Sequence, residues 1–160
     1  MRYMPKTQVI DVVVPTTADP HTVYALLRDG ASWPTFSPLG SFELARPSKD
    51  GLPGEGVGAH RIFRTKQALS TVTNLEEIVV AEPGKRYGYI LLKGLPLRDY
   101  RAIVELEPTP DGGTSIHWTS TFSAKVPGTG GLFRRNLGDF IRQLVEGLAA
   151  HAATKARAGT

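Results

Sequence analysis

The sequence predicts an α+β domain in which seven antiparallel strands curve around one long C-terminal helix, with one or two short helices after the first strand. Three observations predict it. Short β-type runs recur between Gly-, Pro- and Asp-rich turns from about residue 41 to 124. After Pro127 the hydrophobic period switches to that of a helix. The chain has 160 residues, 41% of them hydrophobic and 21% charged, which suits one domain spanning 1–160 with a core that needs no staple.

Residues 8–14 (QVIDVVV) are dense in stiff β-branched side chains, and Pro15 is expected to end this first strand. Asp19 then stands before Pro20 as a cap before a proline at the first helical position. Val23, Leu26 and Leu27 recur at helical spacing, which predicts a short helix to about Asp29. WPTFSPLG (33–40) holds two prolines and two large aromatics, so it forms a turn or a single helical turn. Six runs follow: SFELA, VGAHRIFRT, STVTNLEEIVV, KRYGYILL, RDYRAIVELE and TSIHWTSTF. Short turns between them make an antiparallel meander. In its last two strands Tyr100, Ala102, Val104 and Leu106 form one row and Ile116, Trp118 and Phe122 another, both expected to face inward. On a helical wheel Phe133, Leu137, Phe140, Ile141, Leu144 and Leu148 share one side, with Arg135, Asp139, Arg142 and Glu146 opposite. From Gly131 to about Lys155 such a helix is about 37 Å long, enough to cross a domain.

The absence of cysteine excludes disulfides, thiolate metal sites and a cysteine nucleophile, and fits a cytoplasmic protein. His21, His60, His117 and His151 lack the local spacing that offers two ligands from one element, so no metal is expected. The net charge of +4 arises in the second half, where six basic residues after residue 124 (Lys125, Arg134, Arg135, Arg142, Lys155 and Arg157) face Asp139 and Glu146. They form no recognised nucleic-acid motif, so no nucleic-acid partner is expected. No signal peptide and no membrane span is read from the chain.

GEGVG (54–58) leads into a strand, not the helix a phosphate loop requires, and is read as a turn. PGTGG (127–131) does precede a helix bearing Arg134 and Arg135. It offers either an anion site or a flexible helix entry, but the lysine and hydroxyl of a nucleotide loop are missing. No serine-hydrolase elbow exists. Arg61 and Glu77 lie on consecutive strands as weak catalytic candidates. They form either an inward ion pair that orients a ligand, with Glu77 as base, or an exterior cross-strand bridge. The side-chain parity of 69–80 leaves both open. His151 falls on the apolar helix stripe as a core-edge or catalytic residue, and His117 alternates out of phase with Trp118, toward solvent.

A single helix cannot fill the concave face of seven strands, so a cavity is expected. The segments VVVPTTADPHTVYALLRDGASWPTFSP (12–38), GEGVGAHRIFR (54–64), GLPLRDYRAIVELEP (94–108), GGTSIHW (112–118) and the closing helix resemble the SRPBCC superfamily. These are the START-like or Bet v 1-like helix-grip proteins, and the closer likeness is to their bacterial polyketide cyclase/dehydrase and lipid-transport branch. Tyr24 departs from the Trp frequent in relatives.

The resemblance implies a cofactor-free monomer or homodimer that binds, transports or sequesters a small hydrophobic or amphipathic molecule such as a lipid, polyketide or aromatic metabolite. A cyclase or dehydratase acting in the same cavity, or a regulatory interaction module with the cavity collapsed, are the alternatives. The candidate lining residues are Trp33, Phe36, Arg61, Tyr87, Tyr89, Tyr100, Trp118, Phe122, Phe133 and Phe140. The loop 33–38 is expected at the rim of the mouth, holding Trp33 over the opening opposite Gly128 to Phe133.

Overall fold

The computed structural model describes residues 5–159. Strand β1 (Gln8–Thr16) is followed by helix α1 (Pro20–Arg28), a 3-10 turn (Gly30–Ser32) and the single-turn helix α2 (Trp33–Phe36). Strands β2 (Ser41–Arg46), β3 (His60–Gln67), β4 (Ser70–Glu82), β5 (Arg86–Lys93), β6 (Leu97–Pro108) and β7 (Thr114–Ala124) form the meander, and α3 (Gly130–Ala158) closes the chain. All seven strands join one antiparallel sheet in the order β1-β7-β6-β5-β4-β3-β2. The expected α+β helix-grip architecture is therefore the observed one.

Local chemistry explains most boundaries. The Asp19 carboxylate accepts from the backbone N–H of His21 at 3.1 Å and of Thr22 at 3.3 Å, and Pro20 opens α1 where no N–H is needed. Pro15 does not end β1 as expected but lies within it, opposite Ser115. β1 is an edge strand, the place in a sheet where proline is tolerated.

Both inward rows of the last strands are buried as expected, and Trp118 is wholly buried between sheet and helix. His117 points to the other face, its side chain 42% exposed and bonded to Asp11 of β1.

Helix α3 buries Ile141, Leu144, Val145, Leu148, Ala149 and Ala152, with Arg135 and Arg142 exposed. The expected burial of Phe133, Leu137 and Phe140 holds only in part, since these three are half-buried. The second half of α3 packs on the sheet, whereas its first half overhangs an open space.

The aromatic loop 33–38 also departs from expectation. Trp33 is 2% exposed, stacked on Phe63 at 5.4 Å and edge-on to Trp118 at 5.8 Å, and its indole N–H donates to Leu26 and Leu27 carbonyls. Phe36 lies against the His151 ring at 5.4 Å, and its backbone carbonyl sits over Gly147 of α3. The loop thus docks on the second half of α3, away from Gly128 to Phe133. Trp33 cannot hang over an opening because its indole N–H needs a partner once the ring is buried, and the end of α1 supplies two.

A Cβ at Gly147 would stand 1.8 Å from the Phe36 carbonyl oxygen, so only glycine lets α2 approach α3 this closely. Gly147→Ala is expected to destabilise the fold by about 1–3 kcal/mol through overpacking, although alanine is favoured in an isolated helix by about 1 kcal/mol. Denaturant unfolding of the variant decides between these opposite signs.

Candidate functional site

The space under the first half of α3 is a two-part cavity. An inner chamber of about 50 Å³ is bounded by Trp33, Phe63, Glu76, Tyr89, Tyr100 and Leu144. A vestibule of about 320 Å³ is bounded by Thr65, Gln67, Val72, Phe133 and Asn136. Leu39, Asn74, Leu95, Leu137 and Phe140 line both and form the neck between them.

Behind the chamber lies Arg61, completely buried. Its Nε and Nη2 donate to Glu76 Oε1 at 3.0 and 2.8 Å, and its Nη1 donates to the Leu27 carbonyl at 3.0 Å and to the Tyr87 hydroxyl at 3.4 Å. Its guanidinium carbon stands 4.3 Å from the Trp33 ring centroid, a cation-π contact. Glu55, on the β2–β3 connection, is 3.6 Å from Nη1 and accepts from the Gly30 N–H at 2.7 Å. The Tyr87 hydroxyl donates to the Glu55 carbonyl at 2.6 Å. Burial works against the Arg61 charge, but Tyr87, Glu76 and Glu55 outweigh it and hold the group protonated.

The structure separates the two weak catalytic candidates. Arg61 points inward and Glu77 outward, where Glu77 meets His60 at 2.7 Å and Arg46 at 3.2 Å. These partners lower its pKa, the His60 hydrogen bond most of all, so nothing poises it as a base near neutrality. The inward acid is Glu76, paired directly across from Arg61 in the β3–β4 ladder. Val72 and Ile78 share its parity, which is the signal in the sequence that was available for it. The competing Leu75 row faces the other way, and the β4–β5 register shifts between Leu75 and Glu76.

Glu76 Oε1 takes both Arg61 bonds, and among the described residues Oε2 accepts none. Burial pushes the Glu76 carboxyl up against the opposing pull of Arg61, and it does the same to Glu55. Tyr100 is pushed up to about 12 by burial, and its hydroxyl shares a 3.0 Å hydrogen bond with Ser120. Burial likewise raises Tyr89, so both phenols stay neutral hydrogen-bonding groups. At the neck, Asn74 Oδ1 is buried without a partner. It sits within 1.9 Å of where a Cβ on Gly94 would stand, and the φ of 136° at Gly94 favours glycine there.

Of the expected lining residues, the cavity brings together Trp33, Tyr89, Tyr100, Phe133 and Phe140. Phe36 is against α3, Arg61 and Tyr87 lie behind the chamber wall, and Trp118 and Phe122 belong to the packed core. His151 sits half-buried at the edge of that core. Sequence reasoning missed Phe63, Asn74, Glu76, Leu39 and Leu95, whose roles depend on strand parity or on loop placement. Among the described residues no cluster of His, Asp and Glu is arranged to hold a metal ion, and no helix is long and apolar enough to cross a membrane.

Arg61→Met is expected to destabilise the protein by about 3–5 kcal/mol at neutral pH, because it leaves Glu76 buried without a partner and Glu55 without its cation. Both carboxyls titrate above their ordinary 4.5, so between the unfolded and folded values the native state holds more protons and stability falls as pH rises. Loss of Arg61 raises the folded values further. The deficit relative to the parent is therefore smaller near pH 4.5 than at neutral pH, which denaturant titrations at the two pH values measure.

A family model described as "Polyketide cyclase / dehydrase and lipid transport" matches residues 7–153. No curated protein matches the chain. Three similar solved structures share its fold at low identity. A START superfamily protein from Mycobacterium smegmatis has a TM-score of 0.76 at 13% identity, covering 95% of this chain and 99% of its own. TTHA0849 from Thermus thermophilus gives 0.73 at 20%, and Ara h 8.0201 gives 0.72 at 16%, each covering 93% of this chain and 99% of its own. With its helix-grip architecture and a family match over nearly its whole length, the chain belongs to the polyketide cyclase/dehydrase and lipid-transport family.

Proposed function

We propose that this protein binds a small amphipathic molecule, such as a lipid, polyketide or aromatic metabolite, in the cavity between sheet and helix. The observation that carries this reading is Glu76 Oε2, a carboxyl oxygen without a partner among the described residues, in the wall of a chamber lined mainly by aromatic and aliphatic side chains. A ligand hydroxyl or amide that pairs with it gains specificity as well as affinity. The apolar body of the ligand lies in the vestibule against Leu39, Leu95, Leu137 and Phe140. The vestibule alone reaches the lower range of small-molecule sites, about 300 Å³. Binding and carriage in a cytoplasmic setting is the first reading.

A second reading, a cyclase or dehydratase, is favoured by the raised pKa of Glu76 beside Tyr89 and Tyr100. Glu76, Tyr89 and Tyr100 line one chamber, which places the carboxyl to exchange a proton with a bound carbonyl while the phenols orient it. Turnover of a polyketide-like substrate, abolished by Tyr100→Phe while binding persists, separates catalysis from carriage.

Leu137 stands at the neck and is half-buried, so a larger side chain there blocks the cavity without opening the core. Leu137→Trp is expected to weaken binding of the fluorescent probe N-phenyl-1-naphthylamine by about tenfold, or about 1.4 kcal/mol, with little change in melting temperature. Arg142→Ala, on the exposed face of the same helix, leaves probe binding unchanged. Equal probe affinity in Leu137→Trp and the parent overturns the cavity reading and favours a regulatory module. Native mass spectrometry of the purified protein identifies any ligand carried along.

A further inference from the structure

The antiparallel topology gathers four segments at one end of the molecule: the β3–β4 hairpin tip, the β5–β6 connection, the β7–α3 connection and the first turns of α3. The vestibule opens there, since Gln67, Leu95 and Phe133 line it. Large apolar side chains stand in solvent on these same segments. Leu69 at the hairpin tip is fully exposed, and Leu132, Val126 and Leu92 are 61%, 52% and 42% exposed. Turns are ordinarily built from Gly, Pro, Asn, Asp and Ser, so a leucine at the apex of a hairpin is unfavourable unless it meets an apolar partner. The other exposed apolar side chains are spread over β1, β2 and the β2–β3 connection.

The same end is strongly basic. Lys66, Lys93, Arg98, Lys125, Arg134 and Arg135 are all exposed, and none forms an ion pair among the described residues. Asp99 and Asp139 are the carboxylates on these segments. At the opposite end charges alternate, as where Arg86 faces Glu105.

We propose that the mouth end is a docking surface for a bilayer containing anionic lipids, with Leu69 and Leu132 entering the interface and the six basic side chains meeting lipid phosphates. Exposed apolar tips flanked by unpaired cations match the layered chemistry of a membrane surface, apolar inside a shell of negative charge. A nucleic acid offers the phosphates but gives fully exposed leucines nothing to bury against. The role of this surface, passing a ligand between cavity and bilayer, rests on the binding function proposed above, whereas the docking itself is measured without a cavity ligand.

Co-sedimentation of the full chain with vesicles of phosphatidylcholine, or of an equimolar mixture with phosphatidylglycerol, tests the proposal. Retention on the anionic vesicles is expected to exceed that on neutral ones by at least about tenfold and to weaken with added salt. Arg134→Glu/Arg135→Glu is expected to lower it by about tenfold or more, and Leu69→Ser/Leu132→Ser by about tenfold as well. These positions are exposed, so circular dichroism of both variants matches the parent. Equal retention on the two vesicle types, or anionic retention unmoved by the leucine pair, overturns the proposal. So does duplex DNA binding that falls with the charge reversal but not with the leucine replacement, unaccompanied by vesicle retention. Loss of probe binding in Leu137→Trp bears on the cavity alone, and a chain that binds vesicles but no probe refutes the ligand reading while leaving the docking surface standing.

Discussion

A single buried cation organises this domain. Arg61 has no access to solvent, and a guanidinium in that position is tolerable only if its donors and its charge are met by protein. Meeting them requires Glu76 from β4, the Leu27 carbonyl at the end of α1, the Tyr87 hydroxyl from β5 and Glu55 from the β2–β3 connection. Five parts of the chain, counting β3 itself, are therefore held in one arrangement around one group. Glu55 extends the network by accepting from Gly30, which anchors the long connection to the turn after α1.

The aromatic core is built on the same point. Trp33 lies over the guanidinium on one side and reaches Phe63, Tyr89 and Trp118 on others, so the short helix α2 is drawn into the sheet instead of skirting it. Its carbonyl partners at the end of α1 satisfy the indole, and Gly147 gives α2 room against α3. Packing is consequently dense around α1, α2 and the second half of α3. The first half of α3 has no such filler beneath it, and the cavity is the space that remains.

This division gives the molecule two unlike ends. One is closed by α1, the β2–β3 connection and the Arg61 network. The other carries the vestibule, half-buried aromatics of α3, exposed leucines and a shell of basic side chains. Asn74, whose Oδ1 is buried without a partner, lines both chamber and vestibule, and Glu76 lines the chamber. Dense packing and the ion network are concentrated at the closed end, and the open space lies at the other.

The elements themselves were legible in the sequence because they depend on local periodicity. β-branched runs between turn residues specify strands, the Asp19–Pro20 pair starts α1, and the stripe from Phe133 to Leu148 specifies α3. The inward rows of β6 and β7 were equally plain, since strict alternation leaves one reading. What tertiary structure alone decided was direction and depth. In β4 two parities compete, and the facing strand together with the register shift beside Glu76 turned that residue inward and Glu77 out. Trp33 stands beside prolines in a segment with no period, so nothing local distinguishes a rim from a core. The carbonyls that bury it belong to α1, and the cation it covers lies on a strand that follows later in the chain. Likewise Phe133 and Leu148 share one helix stripe, but only the distance of the sheet beneath each separates cavity wall from packed core. Period is a property of a segment, whereas burial and partnership are properties of what the rest of the chain brings to it.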